Sequence, residues 1–375
     1  MQIAASAALS KGPMLPIQVL IVDDSVVVRR LLCEALASAP DIKVAGTASN
    51  GEIALARIPQ LNPDIITLDI EMPGLNGIQT LLEIRKLYPK LPVIMCSTLT
   101  ERGAATTLEA LAAGASDYVT KPSNSSSLAN AMDQLRQELV TKITCLAGPR
   151  RIISEPLPAI SPVKRTASAD HAIDILAIGT STGGPNALGE VIPHLPHDLP
   201  VPVVIVQHMP SLFTRMLADR LNSRSRLPVR EAEPRKLLEP GQVWIARGDY
   251  HMTVARKGLQ TVLELNQDPP ENYCRPAVDV LFRSVVQVYG PNTLAVVLTG
   301  MGSDGARGAA HIREAGGEIL VQDEASSVVW GMPGAVVSSH CANKVCPLPE
   351  ISQEIVRRVA VGRTQTTLGA MTARV

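Results

Sequence analysis

From Ile17 onward the chain alternates short runs of β-branched apolar residues with stretches whose apolar positions recur every three or four residues. The runs QVLIV (18–22), IKVAGTA (42–48), DIITL (64–68), PVIMC (92–96) and DYVT (117–120) have strand length. Between them VVVRRLLCEALASA, GEIALARIPQL, GIQTLLEIRKLY and TLEALAAGA read as amphipathic helices. Strands that are apolar at nearly every position are buried on both sides, so the alternation predicts a parallel sheet covered by helices on both faces. A last helix is expected over LANAMDQLRQELVTKITCLA (128–147). Residues 148–171 are rich in Pro, Ser and basic residues and lack a clear period, the composition of an exposed linker.

Beyond the linker the pattern resumes, with AIDILAIG, PVPVVIVQ, QVWIA, TLAVVLTG and GEILVQ as strands separated by segments such as NALGEVIPHL and GARGAAHIREA. The reading is therefore α/β, with two doubly wound domains, the second mostly parallel, and no solenoid repeat. It places an N-terminal extension at 1–16, a first domain at 17–140, a linker at 141–171, a second domain at 172–360 and a tail at 361–375. A chain of 375 residues exceeds what one core usually organises, which agrees with two domains.

Composition narrows the function classes. Lys+Arg and Asp+Glu are both 35, so no global basic field exists to hold nucleic acid or an anionic membrane. A DNA-binding output would also need a small helical domain with a basic recognition helix, which a strand-rich second half does not supply. The six cysteines are scattered without CxxC pairs and read as reduced, mostly buried thiols. No apolar run approaches the roughly 20 residues that span a bilayer, and the N-terminus lacks a basic n-region, so a cytoplasmic location without membrane insertion is expected.

In parallel α/β sheets ligand sites collect at the carboxyl ends of the strands. In the first half those ends carry Asp23 and Asp24 after QVLIV, Asp69 after DIITL, Ser97 after PVIMC and Lys121 after DYVT. Three carboxylates on one edge repel unless a hard cation lies among them, and Mg²⁺ suits an all-oxygen set. Lys121 offers a point charge, and Ser97 a hydroxyl, to phosphoryl oxygens. In the second half the same reading finds Ser181 in GTSTGGP, His208 in QHMP and Asp304 in TGMGSDG. A nucleophile, a base and an orienting acid would then meet at one edge, as acyl transfer requires, with no cofactor. Thr182, Gly183, Gly184 and Met301, in glycine-rich loops, are candidates for backbone N–H donors to an oxyanion. The order Ser, His, Asp differs from that of the α/β-hydrolases, and GTSTGGPNAL lacks the spacing of a dinucleotide loop.

IVDDS, LDIEMPGLNG, CSTLT and YVTKP together resemble the two-component receiver domain, and GTSTGGP, QHMP and TGMGSDG, with RPAVDVLF and WGMPGAV, resemble the chemotaxis protein-glutamate methylesterase family. The first resemblance implies a flavodoxin-like fold, phosphorylation of Asp69 by a chemotaxis histidine kinase, Mg²⁺ on Asp23, Asp24 and Asp69, phosphate sensing by Ser97 and Lys121, and Tyr118 as an aromatic switch. The second implies phosphorylation-activated hydrolysis of glutamate methyl esters on chemoreceptor signalling helices, releasing methanol, and deamidation of specific receptor glutamines. A scaffold with an idle α/β domain is the alternative of another class, and the presence of all three triad residues weighs against it.

Overall fold

The computed structural model describes residues 15–121, 128–148 and 172–361. Nearly all of the expected N-terminal extension, most of the linker and nearly all of the tail lie outside the described residues. By internal packing the chain divides into two compact units, Met1–Thr98 with Tyr118–Arg150, and Leu99–Asp117 with Arg151–Val375.

The first sheet consists of β1 (Ile17–Val22), β2 (Ile42–Ala48), β3 (Ile65–Asp69), β4 (Val93–Ser97) and β5 (Asp117–Thr120), in the order β2-β1-β3-β4-β5. β1 pairs in parallel with β2 and β3, and β3 with β4. In chain order the strands are joined by α1 (Val26–Ala37), α2 (Gly51–Leu61), α3 (Gly77–Leu87) and α4 (Glu101–Ala112), and α5 (Leu128–Ala147) follows. The pleat explains the unbroken apolar runs. Ile17, Val19 and Ile21 of β1, with Ile65, Ile94 and Val119, share a core with Leu32 and Leu36 of α1 and Leu135, Leu139 and Ile143 of α5. The intervening Leu20, Val22, Ile66, Leu68 and Met95 point to the opposite face and are equally buried. Ile143 belongs to this core, and α5 runs to Ala147 as the sequence pattern predicts for the last helix, past the boundary at 140 set for the first domain. Each of α1 to α4 starts on a side-chain cap, from Ser25, Asn50, Asn76 and Thr100 respectively, so the chain turns into helix soon after leaving the strand ends.

The second sheet has seven strands: β6 (Ile175–Thr180), β7 (Val203–Gln207), β8 (Val229–Glu231), β9 (Val243–Ile245), β12 (Thr293–Val297), β13 (Glu318–Gln322) and β14 (Lys344–Cys346). They run in the order β14-β13-β12-β6-β7-β9-β8, and every pairing is parallel. An antiparallel hairpin of β10 (His251–Lys257) and β11 (Gln260–Asn266) is separate from it. α8 (Val278–Tyr289) packs on this hairpin and on β6, and Val278, Leu281, Phe282 and Val285 join Met252, Val254 and Leu263 in one core with the sheet. The other helices are α6 (Gly184–Val191), α7 (Ser211–Asn222), α9 (Ala306–Glu314), α10 (Met332–Ser338) and α11 (Leu348–Ala360). From β6 the chain first adds strands on the β7 side and later returns to add β12 on the other. β6 is thus the switch point of the sheet, where ligand crevices form.

Candidate phosphoacceptor and hydrolytic sites

At the first sheet's carboxyl edge, carboxylate oxygens of Asp23, Asp24 and Asp69 lie within 4.8 Å of one another. Asp23 and Asp69 are buried and Asp24 is exposed. Lys121 Nζ lies 2.8 Å from both Asp23 Oδ2 and Asp69 Oδ1. It is brought there by the backbone bond from Lys121 N to Ser97 O at 2.7 Å, which ties the start of the β5–α5 segment to β4. Ser97 itself is buried one residue beyond Cys96, the register partner of Asp69. Tyr118 is buried, with Lys142 Nζ 5.0 Å from its ring centroid. Burial pushes the Asp69 carboxyl up to about 6, and the Asp23 charge adds to that rise while Lys121 opposes it. Oxygen-only donors, three carboxylates and one cation leave room for a hard divalent ion, so the residues present fit Mg²⁺.

In the second sheet, Thr180 of β6 is the register partner of Gln207 of β7, so Ser181 and His208 leave the edge side by side. Ser181 N donates to Thr299 O at 3.1 Å and His208 N to Thr180 O at 3.2 Å, fixing both backbones. Asp304 follows β12, whose Val297 pairs with Gly179 of β6. His208 Nε2 is 2.8 Å from Asp304 Oδ2, so the structure brings the imidazole and the carboxylate together. In the neutral imidazole the carboxylate holds the proton on Nε2, and Nδ1 is left as the acceptor. Cys274 Sγ lies 3.5 Å from Nδ1. Among the described residues Ser181 Oγ makes no hydrogen bond to His208.

The electrostatics of the pair follow from burial and partners. Burial alone would lower the imidazole's basicity, but the bond and charge of Asp304, with Cys274 beside the ring, raise it well above its ordinary value. Burial would raise the Asp304 carboxyl, yet His208 and the backbone N–H groups of Asp279 and Val278 hold it below the usual carboxylate range.

Loop packing explains the glycines. A Cβ on Gly300 would fall 2.4 Å from Met332 Sδ and 3.0 Å from Ser181 Cβ, so only glycine lets this loop lie against Ser181. The N–H groups of Gly331 and Met332 both donate to Gly300 O, which is why WGMPGAV sits beside the site. Gly183 has φ 78°, and a Cβ there would meet Val328 at 2.7 Å. One expectation needs correcting. Gly184 N donates to Ser181 O at 2.8 Å, closing the turn into α6, so this N–H is not available to an oxyanion. Among the described residues, the N–H groups of Thr182, Gly183 and Met301 make no such bond.

Several residues that sequence reading did not single out shape the site. Gln207 Nε2 donates to Ser181 O at 2.9 Å and to His208 O at 3.3 Å, clamping the Ser181 loop to the His208 loop. Thr299 Oγ1 donates to Thr182 O, and Thr299 N to Gln322 Oε1. Gln207 lies within QHMP but reads there as the end of an apolar strand. Cys274, and Asn272, which bonds to Asp304, lie in a loop with no pattern of its own.

A family model described as CheB methylesterase matches residues 176–355, and one described as response regulator receiver domain matches residues 19–133. The protein-glutamate methylesterase/protein-glutamine glutaminase of Trichodesmium erythraeum (strain IMS101) is 48% identical over 347 residues, covering 91% of this chain and 99% of that protein. The protein of the same name from Nocardioides sp. (strain ATCC BAA-499 / JS614) is 53% identical over 353 residues, covering 92% and 96%. The crystal structure of the Thermotoga maritima CheB methylesterase catalytic domain is 41% identical, with a TM-score of 0.49, over 49% of this chain and 97% of that one.

Proposed function

Because this chain belongs to the protein-glutamate methylesterase/protein-glutamine glutaminase family, we propose that Ser181, His208 and Asp304 hydrolyse glutamate methyl esters, and deamidate glutamines, on chemoreceptor signalling helices under control of phosphorylation at Asp69. The observation that carries this reading is the convergence of the three residues at the ends of β6, β7 and β12, with the His208–Asp304 contact made. His208 Nδ1 takes the Ser181 proton as Oγ attacks the ester carbonyl. The oxyanion is met by N–H groups among Thr182, Gly183 and Met301. Collapse expels methoxide, which leaves as methanol with the proton from His208. Water then attacks the acyl-serine, again deprotonated by His208, and releases the glutamate carboxylate. With a glutamine the leaving group is ammonia.

In the first domain Asp69 accepts a phosphoryl group from a chemotaxis histidine kinase. Asp23, Asp24 and Asp69 would hold Mg²⁺, which neutralises their mutual repulsion and that of the incoming phosphoryl oxygens. Lys121 and Ser97 bond the phosphoryl oxygens, and Tyr118 repacks as the switch. No described helix is long and apolar enough to cross a membrane. We infer a cytoplasmic site of action from the proposed partners, since receptor signalling helices and a histidine kinase are both met there.

The test is methanol release from methylated chemoreceptor membranes by the full-length protein, with and without a small-molecule phosphoryl donor. Release that rises with the donor in the wild type, stays flat in Asp69→Asn and vanishes in Ser181→Ala is expected. Undiminished release by Ser181→Ala would refute the triad.

A further inference from the structure

Asp304 accepts hydrogen bonds from five groups, and one of them is a side chain that none of the sequence motifs contains. Oδ2 receives His208 Nε2 and, at 2.7 Å, Val278 N. Oδ1 receives Asp279 N and Gly305 N, both at 3.0 Å, and Asn272 Nδ2 at 2.8 Å. The same Asn272 Nδ2 donates to Asp279 Oδ2 at 3.0 Å. Asp279 is itself fully buried and bonded by Gly308 N and Arg307 Nε. One amide NH₂ group thus spends its two hydrogens on two buried carboxylates that would otherwise face each other.

The amide has only one workable orientation. Carboxylates only accept, so the nitrogen must face them, and Arg307 Nη2 donates to Asn272 Oδ1 at 2.6 Å from the other side. The backbone is suited to asparagine, since φ is 54° and Asn tolerates the left-handed region better than other non-glycine residues. The loop is also held in place. Glu271 and Cys274 exchange backbone bonds, Arg283 grips Glu271 through both carboxylate oxygens, and His251 receives Ala277 N on Nδ1 while Nε2 donates to Pro269 O.

We propose that Asn272 is a positioning residue for the esterase reaction, orienting Asp304 and drawing part of its charge away from His208. The proposal rests on the reading of Ser181, His208 and Asp304 as a triad. A donor on Oδ1 stabilises the carboxylate whether or not the imidazole is charged. Without it Oδ1 keeps only its two backbone donors, more of the negative charge rests on Oδ2, the imidazolium is favoured, and less His208 is free to act as base at neutral pH.

The experiment uses the full-length protein with a small-molecule phosphoryl donor, following methanol release from methylated receptor membranes across pH. Asn272→Gly keeps the left-handed backbone and removes the side chain, with both its donor to Asp304 and its acceptor for Arg307, whereas Asn272→Asp keeps the shape and replaces the donor with a third carboxylate. For Asn272→Gly, kcat falls about tenfold with KM within about twofold, the scale of a lost bond to a charged group. The acid limb of the kcat profile moves to higher pH. Asn272→Asp loses more and moves the limb further. A wild-type kcat and profile in Asn272→Gly would overturn the proposal, as would a loss of kcat with the limb unmoved. Ser181→Ala runs alongside. If it keeps its activity the triad reading fails, whereas if it is inactive and Asn272→Gly is normal, only the role of Asn272 falls.

Discussion

Asp69 and Asp304 are both almost fully withdrawn from water, at 3% and 2% exposure, yet burial pushes the Asp69 carboxyl up to about 6 while Asp304 is held below the ordinary range. The difference lies in what surrounds each. Asp69 shares one lysine with Asp23 and stands among carboxylates, so its charge is under-compensated. Asp304 is surrounded by donors from four successive structural sources: the imidazole, the α8 N-terminus, the start of α9 and Asn272. An under-compensated carboxylate is suited to receiving a cation and a phosphoryl group. A saturated one is suited to staying ionised and still while a neighbouring base cycles its proton.

The largest effect expected from breaking this contrast is at Asp304. In Asp304→Asn both carboxylate positions face N–H donors, so either orientation sets the amide NH₂ against donors. The tautomer of His208 is then lost, and kcat for methanol release should fall on the order of 10³-fold or more. A fall of less than tenfold would show that the acid is not needed.

Next in size is the stability of the first domain. Because the folded Asp69 titrates near 6, above its ordinary value, ionising it costs stability. That cost is absent well below pH 4, grows between about 4 and 6 and is complete above. Asp69→Asn should therefore be more stable than the wild type at pH 7.5, by about 1–3 kcal/mol in denaturant unfolding. The gap should close as pH falls toward 4, and added Mg²⁺ should narrow it at pH 7.5. Equal stability at pH 7.5 without Mg²⁺ would mean that Lys121 compensates fully.

A smaller effect concerns His208, whose imidazole is raised. The protonated form cannot act as base, so kcat/KM should decline as pH is lowered through a value above the usual imidazole range, about tenfold per pH unit. A decline centred at or below pH 6.5 would show that Asp304 does not raise the base. The smallest effect is expected at Cys274. Its thiol is a weak donor to Nδ1, so Cys274→Ala should change kcat by less than about threefold.

The strand-end aspartates, the serine and the histidine were legible because each follows an apolar run that can only be a buried strand. Once QVLIV, DIITL, AIDILAIG and PVPVVIVQ are read as parallel strands, their last residues must share an edge. The β10–β11 hairpin was not read, although HMTVARK and TVLELN are of strand length. Asn272 was invisible for a different reason. It lies 32 residues from Asp304, and neither its loop nor its spacing repeats a period.

The sequence by itself determined the two α/β domains and the chemical groups at their edges, because burial on two faces imposes an apolar pattern and strand ends are counted along the chain. Only the tertiary structure decided which donors each carboxylate receives, that Nε2 and not Nδ1 faces Asp304, and that the Gly184 N–H is occupied. Hydrogen bonds depend on distances of tenths of an ångström between segments far apart in the chain, and no local pattern of residues encodes them.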